Sequence, residues 1–308
     1  VSGSFETGLM EPAKNFTAQY ITHGFEDDLE PAAVFIKDFA APKPVKKARL
    51  YATALGVYEF TLNGEGISDV RLAPGWTCYN QRLQYQTYDL TPYIREQNQI
   101  RFTVGNGWYK GILGFYNTGG HYGERTALLA QIEITYTDGS TETIPTDETW
   151  LSTTGPVRYS EWYHGETIDL SLGEQEAVPP RVYGHSKDIL VSQQCEPVRI
   201  TQRLPAVKLL HTPNGENVLD FGQNLAGVVE IRVRYPKGTA LTLRHSEALD
   251  ENGNLYTKNL RTAKATDTFI CSGGEDVFLP KFTNHGFRYV GIETSAPVEI
   301  DPACFTAC

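Results

Sequence analysis

The stretch "ALLAQIEITYTDGSTETIPT", residues 127–146, decides the fold. Its arms are rich in β-branched and aromatic residues and alternate with a period of two, as a strand with one buried face requires. Between them, Asp138-Gly139 offers the positive φ that a tight hairpin turn needs. The same pattern extends both ways along the chain. "ARLYATALGVYEFTLNGEGI" (48–67) reads as two short strands with Asn63-Gly64 as a turn. "GVVEIRVRYPKGTALTLRHSEAL" (227–249) repeats the hairpin pattern around Pro236-Lys237-Gly238, and "DTFICSGGEDVFLPKF" (267–282) repeats it around Gly273-Gly274. "FRYVGIET" (287–294) closes the series. Helical periodicity is nearly absent, with a turn or two at 90–96 the best candidate.

Short strands at roughly 8 to 12 residue spacing, separated by Gly-rich turns, make an all-β fold of antiparallel sandwiches, jelly-roll-like in build. A chain of 308 residues exceeds what one core usually serves, so two tandem β-sandwiches are expected. The weakest strand signal, "EQEAVPPRVYGHSKDILVSQQCEP" (174–197), carries adjacent prolines and scattered charge and reads as a linker. The sandwiches are therefore placed at 18–173 and 198–308. All four tryptophans fall in the first, which makes it the place for an aromatic-lined site.

Composition excludes several classes. A net charge of −10 with scattered Lys and Arg gives no concentrated basic face, so no nucleic-acid partner is expected. The cluster "KPVKKARL" (43–50) reads as a solvated sheet edge. No apolar run reaches the ~18–20 residues of a membrane-spanning helix, so no membrane partner is expected either. Five widely spaced cysteines, without CxxC or Cys/His spacing, argue against a zinc site or a disulfide framework. No basic, apolar-cored leader opens the chain, and its compartment stays open.

Three segments combine flat rings with amides: "GWTCYNQR" (75–82), "GNGWYKGILGFYNTGGHYGER" (105–125) and "SEWYHGETID" (160–169). The loops of a β-sandwich gather at its two ends, so such segments can converge. A pyranose has an apolar C–H face for a Trp or Tyr ring and hydroxyls that Asn, His or Glu can satisfy. If one ring stacks and about four hydrogen bonds form, each contributing about 1 kcal/mol net, an affinity of roughly 10 µM to a few mM remains after ordering costs. The candidate carbohydrate-binding residues are Trp76, Tyr79, Asn80, Asn106, Trp108, Tyr109, His121, Glu124 and Trp162. Stacking is assigned to Trp108 or Tyr109, and hydroxyl recognition to Asn80, His121 and Glu124. The competing reading is that aromatics of an all-β domain pack its core.

Other motifs read as structure. "GNGWYKG" lacks the strand-to-helix transition of a phosphate loop. "LDENGNL" (249–255) spaces Asp250, Asn252 and Asn254 like calcium ligands without a closing Glu, and reads as a polar turn. His245 and Glu247 read as polar pairs on one strand face. Asn15 opens a glycosylation sequon. Glu124, Glu161, Glu166 and Asp169 lie near the aromatic segments, but nothing in their spacing opposes two of them across a bond. No catalytic residue is assigned.

Long stretches also resemble a known family. "LAPGWTCYNQRLQYQTYDLTPYI" (72–94), "GNGWYKGILGF" (105–115), "YGERTALLAQIEITYTDGS" (122–140) and "YHGETIDLSL" (163–172) look like the N-terminal β-sandwich of bacterial α-L-rhamnosidases. "VLDFGQNLAGVVEIRV" (218–233), "LRHSEALDENGNLYTKNLRTAKATDTFIC" (243–271) and "FTNHGFRYVGIE" (282–293) resemble the concanavalin-like sandwich that follows it. "SFETGLMEP" (4–12) resembles the end of a preceding fibronectin-like module, so 1–17 are expected to be a leader from it. The resemblance implies a non-catalytic accessory region. The family's inverting hydrolysis of α-L-rhamnosides uses two carboxylates of a following (α/α)6 barrel, and "DPACFTAC" (301–308) resembles the strand entering that barrel. L-rhamnose or a rhamnoside and the C-terminal catalytic barrel are thus the implied partners. In some relatives calcium bridges the first sandwich to rhamnose, which implies a candidate calcium site near Asn80 and Glu124. Here Cys78 follows Gly-Trp-Thr where relatives often carry Asp, removing a hard anionic oxygen. Two other readings follow from the same resemblance: a structural spacer without sugar binding, and a region that serves hydrolysis only within a full-length enzyme.

Overall fold

A computed structural model describes residues 7–25, 30–114, 116–173 and 175–308. Four sheets build two sandwiches. In the first sandwich, Ala127–Tyr136 and Val45–Leu55 pair along almost their whole lengths at the centre of one sheet, flanked by Ile21–Thr22 and Leu83–Asp89, with Thr141–Pro145 also on Ala127–Tyr136. The facing sheet runs Leu151–Thr154, Ala33–Ala40, Gln97–Gly105, Val57–Leu62, Glu65–Gly66. Gly56, at φ 141°, turns the chain from one sheet into the other, and a Cβ there would lie 2.5 Å from the Gly105 carbonyl oxygen. Only glycine fits this corner. Alternate residues of Val45–Leu55 then face opposite sides: Leu50, Ala52 and Ala54 enter the core between the sheets with Phe35, Phe102 and Ile132.

The expected turns form. Asn63 and Gly64 take φ of 55° and 80°, and Gly139 takes 85°. The only helical structure near 90–96 is a three-residue 3-10 turn, Thr91–Tyr93. Among the described residues no helix is long and apolar enough to cross a membrane.

The second sandwich differs from its sequence reading in one respect. Val229–Val233 and Asp276–Phe278 pair in a small sheet with Phe305–Ala307, while Ala240–Ser246 and Thr266–Ile270 pair in the large one. The segments around Pro236-Lys237-Gly238 and Gly273-Gly274 are therefore crossings between sheets, not hairpin turns. Each joins two strands with enough residues to span the gap of about 10 Å between packed sheets.

The sheets also divide the chain differently from the boundaries read at 173 and 198. Val157–Glu161 and Gly165–Asp169 form a hairpin that joins the large sheet of the second sandwich, pairing in parallel with Thr266–Ile270. The chain then returns: Arg181–Val182 pairs with Ile21–Thr22, and Leu190–Ser192 runs parallel to Leu83–Asp89. The prolines of the expected linker cannot donate to a ladder, yet two short edge strands fit beside them. Residues 7–17 of the expected leader also pack here: Pro12–Asn15 is one helical turn, and Phe16 sits buried edge-on to Tyr85 at 5.5 Å. Residues 1–6 lie outside the described residues.

One apolar cluster consequently runs from Phe16, Tyr85 and Trp108 of the first sandwich to Phe269, Phe287 and Phe305 of the second. Phe282 is fully buried where they meet, and a Cβ on Gly105 would lie 2.9 Å from its ring. Polar contacts border it. Glu166 Oε2 accepts the backbone N–H of Lys281 and Phe282 at 2.8 and 3.0 Å, and Arg71 donates to the Pro280 carbonyl. The two sandwiches should melt as one calorimetric transition. Phe282→Ala should lower stability by about 3–5 kcal/mol and split that transition in two, as scanning calorimetry would reveal.

Candidate functional site

Asn106 leads into a single helical turn, Gly107–Lys110. Gly107 takes φ 51°, and a Cβ there would strike Val57 at 2.3 Å, so the turn lies hard against the sheet. Its aromatics consequently point inward. Trp108 is 8% exposed, and Tyr109 only 3%. Neither offers an open face to a sugar, which corrects the stacking role expected of them. Tyr79, at 2%, is likewise packing: its ring meets Tyr122 edge-on at 4.9 Å and Tyr109 at 5.8 Å, and its hydroxyl donates to the Gly75 carbonyl at 2.8 Å. Burial pushes the Tyr109 phenol up to about 12, aided by neighbouring Tyr183. Gly123 lets the loop lie on this ring, since a Cβ would come within 2.5 Å of it.

The ring that does reach solvent is Trp76, 54% exposed. It lies nearly parallel to Trp108, centroids 6.0 Å apart and planes 10° apart, and Trp108 in turn meets half-buried Trp162 at 4.2 Å. Three tryptophans thus form a row whose outer member is backed by a buried ring. Trp76 Nε1 donates to the Tyr122 hydroxyl at 3.4 Å. The loop carrying Tyr122 also supplies Gly119, Gly120, Glu124 and Arg125 to a cleft of about 490 Å³, closed on its other side by Lys110, Ile112 and Glu161. Asn80, His121 and Glu124 are all exposed. His121 Nε2 lies 3.1 Å from the Thr118 carbonyl oxygen.

Asn106 has a different task from the one expected. Its amide donates to Glu161 Oε1 at 2.8 Å, while the Ile112 N–H donates to Glu161 Oε2 at 2.7 Å. Glu161 belongs to the hairpin that joins the second sandwich, so a strand of one sandwich braces the aromatic turn of the other. Composition could not single out Glu161 for this, because the contact depends on where the hairpin docks. Two further carboxyls near the aromatic segments are also engaged: Glu166 is fully buried, with one oxygen on two backbone amides, and Asp169 Oδ1 caps its own turn through Ser171.

The donor set around Asn80 and Glu124 fits calcium poorly. Calcium takes six to eight hard oxygens, and Cys78 is an exposed thiol. Among the described residues, the group of His, Cys, Asp and Glu side chains close enough to share a metal lies elsewhere, at His245, Asp267 and His285.

Comparison with known proteins gives a consistent result. Residues 43–202 match the model of the α-L-rhamnosidase N-terminal domain, and 210–308 match that of the bacterial α-L-rhamnosidase concanavalin-like domain. The chain is 45% identical over 270 residues to an α-L-rhamnosidase of Streptomyces avermitilis, covering 83% of this chain and 26% of that protein. The structure of the Streptomyces avermitilis α-L-rhamnosidase complexed with L-rhamnose superposes with a TM-score of 0.84 at 41% identity, over 90% of this chain and 28% of that one. The native Aspergillus terreus enzyme superposes at 0.93 with 37% identity, over 98% and 37%. The chain spans about a quarter to a third of the length of the curated relatives.

Glu161→Ala should leave the Asn106 amide and the Ile112 N–H without partners, lowering stability by about 1–3 kcal/mol. Hydrogen exchange should show the loss concentrated in residues 106–112. Protection there equal to wild type would mean that the carboxylate does not hold the turn.

Proposed function

The chain belongs to the α-L-rhamnosidase family, as its N-terminal and concanavalin-like β-sandwiches, and from that membership we propose that it binds sugar without cleaving it. In this reading the first sandwich holds an L-rhamnose unit at the Trp76 end, and the second docks the catalytic (α/α)6 barrel of the same enzyme. The observation that carries it is Trp76, an exposed indole backed by Trp108. A flat ring fixed by a buried neighbour loses little entropy when a pyranose C–H face settles on it. Asn80, His121 and Glu124 supply exposed polar groups for hydroxyls. Exposed Val207 and Val277 leave apolar surface on the second sandwich for the barrel. The spacer reading draws on the burial of Tyr79, Trp108 and Tyr109, which gives most of the aromatic cluster to packing.

Titration of the labelled protein with L-rhamnose should shift the Trp76 indole and the Asn80 and His121 amides, with a Kd of roughly 10 µM to a few mM. Trp76→Ala should weaken binding about ten-fold or more, equivalent to about 1.4 kcal/mol, whereas Tyr109→Phe should leave it unchanged. Silence of these resonances at saturating sugar would reject binding in favour of the spacer.

A further inference from the structure

The large sheet of the second sandwich encloses a polar cluster in an otherwise apolar interior. His245 on Ala240–Ser246, Asp267 on Thr266–Ile270 and His285 at the start of His285–Thr294 are each 4% exposed or less. The two imidazoles stack at 4.2 Å, and Phe287 closes on His245 edge-on at 4.9 Å. Hydrophobic side chains would fill these positions without burying a carboxylate. Glu247, read with His245 as a polar residue of the same strand face, accepts from Asn224 at 3.1 Å.

The protonation of His245 is fixed by its surroundings. Nδ1 lies 2.9 Å from the Ala265 carbonyl oxygen, which can only accept, so Nδ1 carries the hydrogen. A neutral imidazole protonated at Nδ1 leaves Nε2 as an acceptor with a lone pair. That nitrogen has no hydrogen-bond partner, and neither has Asp267 Oδ2, 3.8 Å away. Two acceptors thus face each other in a dry interior, an arrangement that repels unless a cation joins them. The remaining groups match the outer support that metal ligands carry. A backbone carbonyl holds the far nitrogen of His245, and the Glu166 N–H holds Asp267 Oδ1 at 2.8 Å. His285 Nε2 completes the group, 3.2 Å from Asp267 Oδ1 and 3.5 Å from the Thr283 hydroxyl.

We propose that His245, Asp267 and His285 are the protein ligands of a structural divalent transition-metal ion of the zinc class. The ligand atoms all lie within 4.8 Å of one another, so some point lies within about 2.8 Å of all three. A contraction of well under 1 Å brings them to the ~2.0–2.2 Å of zinc bonds. Two imidazoles and one carboxylate select zinc, cobalt or nickel over calcium or magnesium. His285 binds as the Nδ1-protonated tautomer, giving up its hydrogen bond to Asp267. Complete burial leaves no path for a substrate, so the ion ties three strands together and enters as the sandwich folds.

The test uses the whole chain, refolded with Zn²⁺ or Co²⁺ and then passed into metal-free buffer. One equivalent of zinc per chain is expected by elemental analysis, and cobalt should give the visible d–d absorption of a low-coordinate site. Refolding with chelator should lower the melting temperature by roughly 10 °C, and zinc should restore it. Asp267→Asn and His245→Gln should abolish both metal retention and the cobalt band, while His121→Gln and His211→Gln keep them. Wild-type protein that refolds to the same melting temperature without metal and shows no cobalt band overturns the proposal, whether or not the variants fold.

Discussion

The structure depends on one hairpin. Val157–Glu161 and Gly165–Asp169 leave the first sandwich, add two strands to the large sheet of the second, and hand the chain back. Gly165 is what lets them dock so closely: it takes φ 114°, and a Cβ there would meet the Thr266 carbonyl at 2.0 Å. From that docking follow the seat of Glu166 on the Lys281 and Phe282 amides, the apolar seal around Phe282, and the brace from Glu161 to the aromatic turn. Removing the hairpin would leave Trp108 without Trp162 and the second sandwich with an open sheet edge.

Most buried polar groups have partners, as packed domains require, and the exceptions fall in both sandwiches. The Tyr20 hydroxyl and Glu59 Oε1 lack a hydrogen-bond partner in the first, and His245 Nε2 and Asp267 Oδ2 lack one in the second, where the two face each other 3.8 Å apart. The proposed saccharide site is an exposed indole of the first sandwich, and the proposed metal site lies in the closed interior of the second.

Local signals made much of the fold legible. Asn63-Gly64 and Asp138-Gly139 state their backbone angles in their residue types, whereas the alternation from Ala48 to Leu55 marks a strand but not that both its faces are buried from Leu50 onward. Pro236-Lys237-Gly238 states a change of direction but not whether the next strand pairs with the last or crosses to the other sheet, since that depends on what else fills each sheet. Trp108 and Tyr109 read as platforms because their segment combines rings with amides, but Gly107 lets their turn lie against Val57 and Gly123 lets the loop lie on Tyr109, so both rings are buried. Trp76, Asn80, His121 and Glu124 are exposed, as a surface role would require, but exposure alone does not separate such a role from an ordinary loop surface. The His245, Asp267 and His285 cluster was not legible, because its members come together only through strand order.

The parallel register of Thr167 with Thr268 has a consequence during synthesis. A strand emerges from the ribosome 101 residues before the one it must pair with, a wait of about 5–20 s at ordinary elongation rates. Throughout that interval the Gly165–Asp169 strand of the nascent chain presents an unpaired β-edge. Slower translation of residues 170–270 would lengthen the exposure, and a holdase chaperone acting on the nascent polypeptide would find its target there.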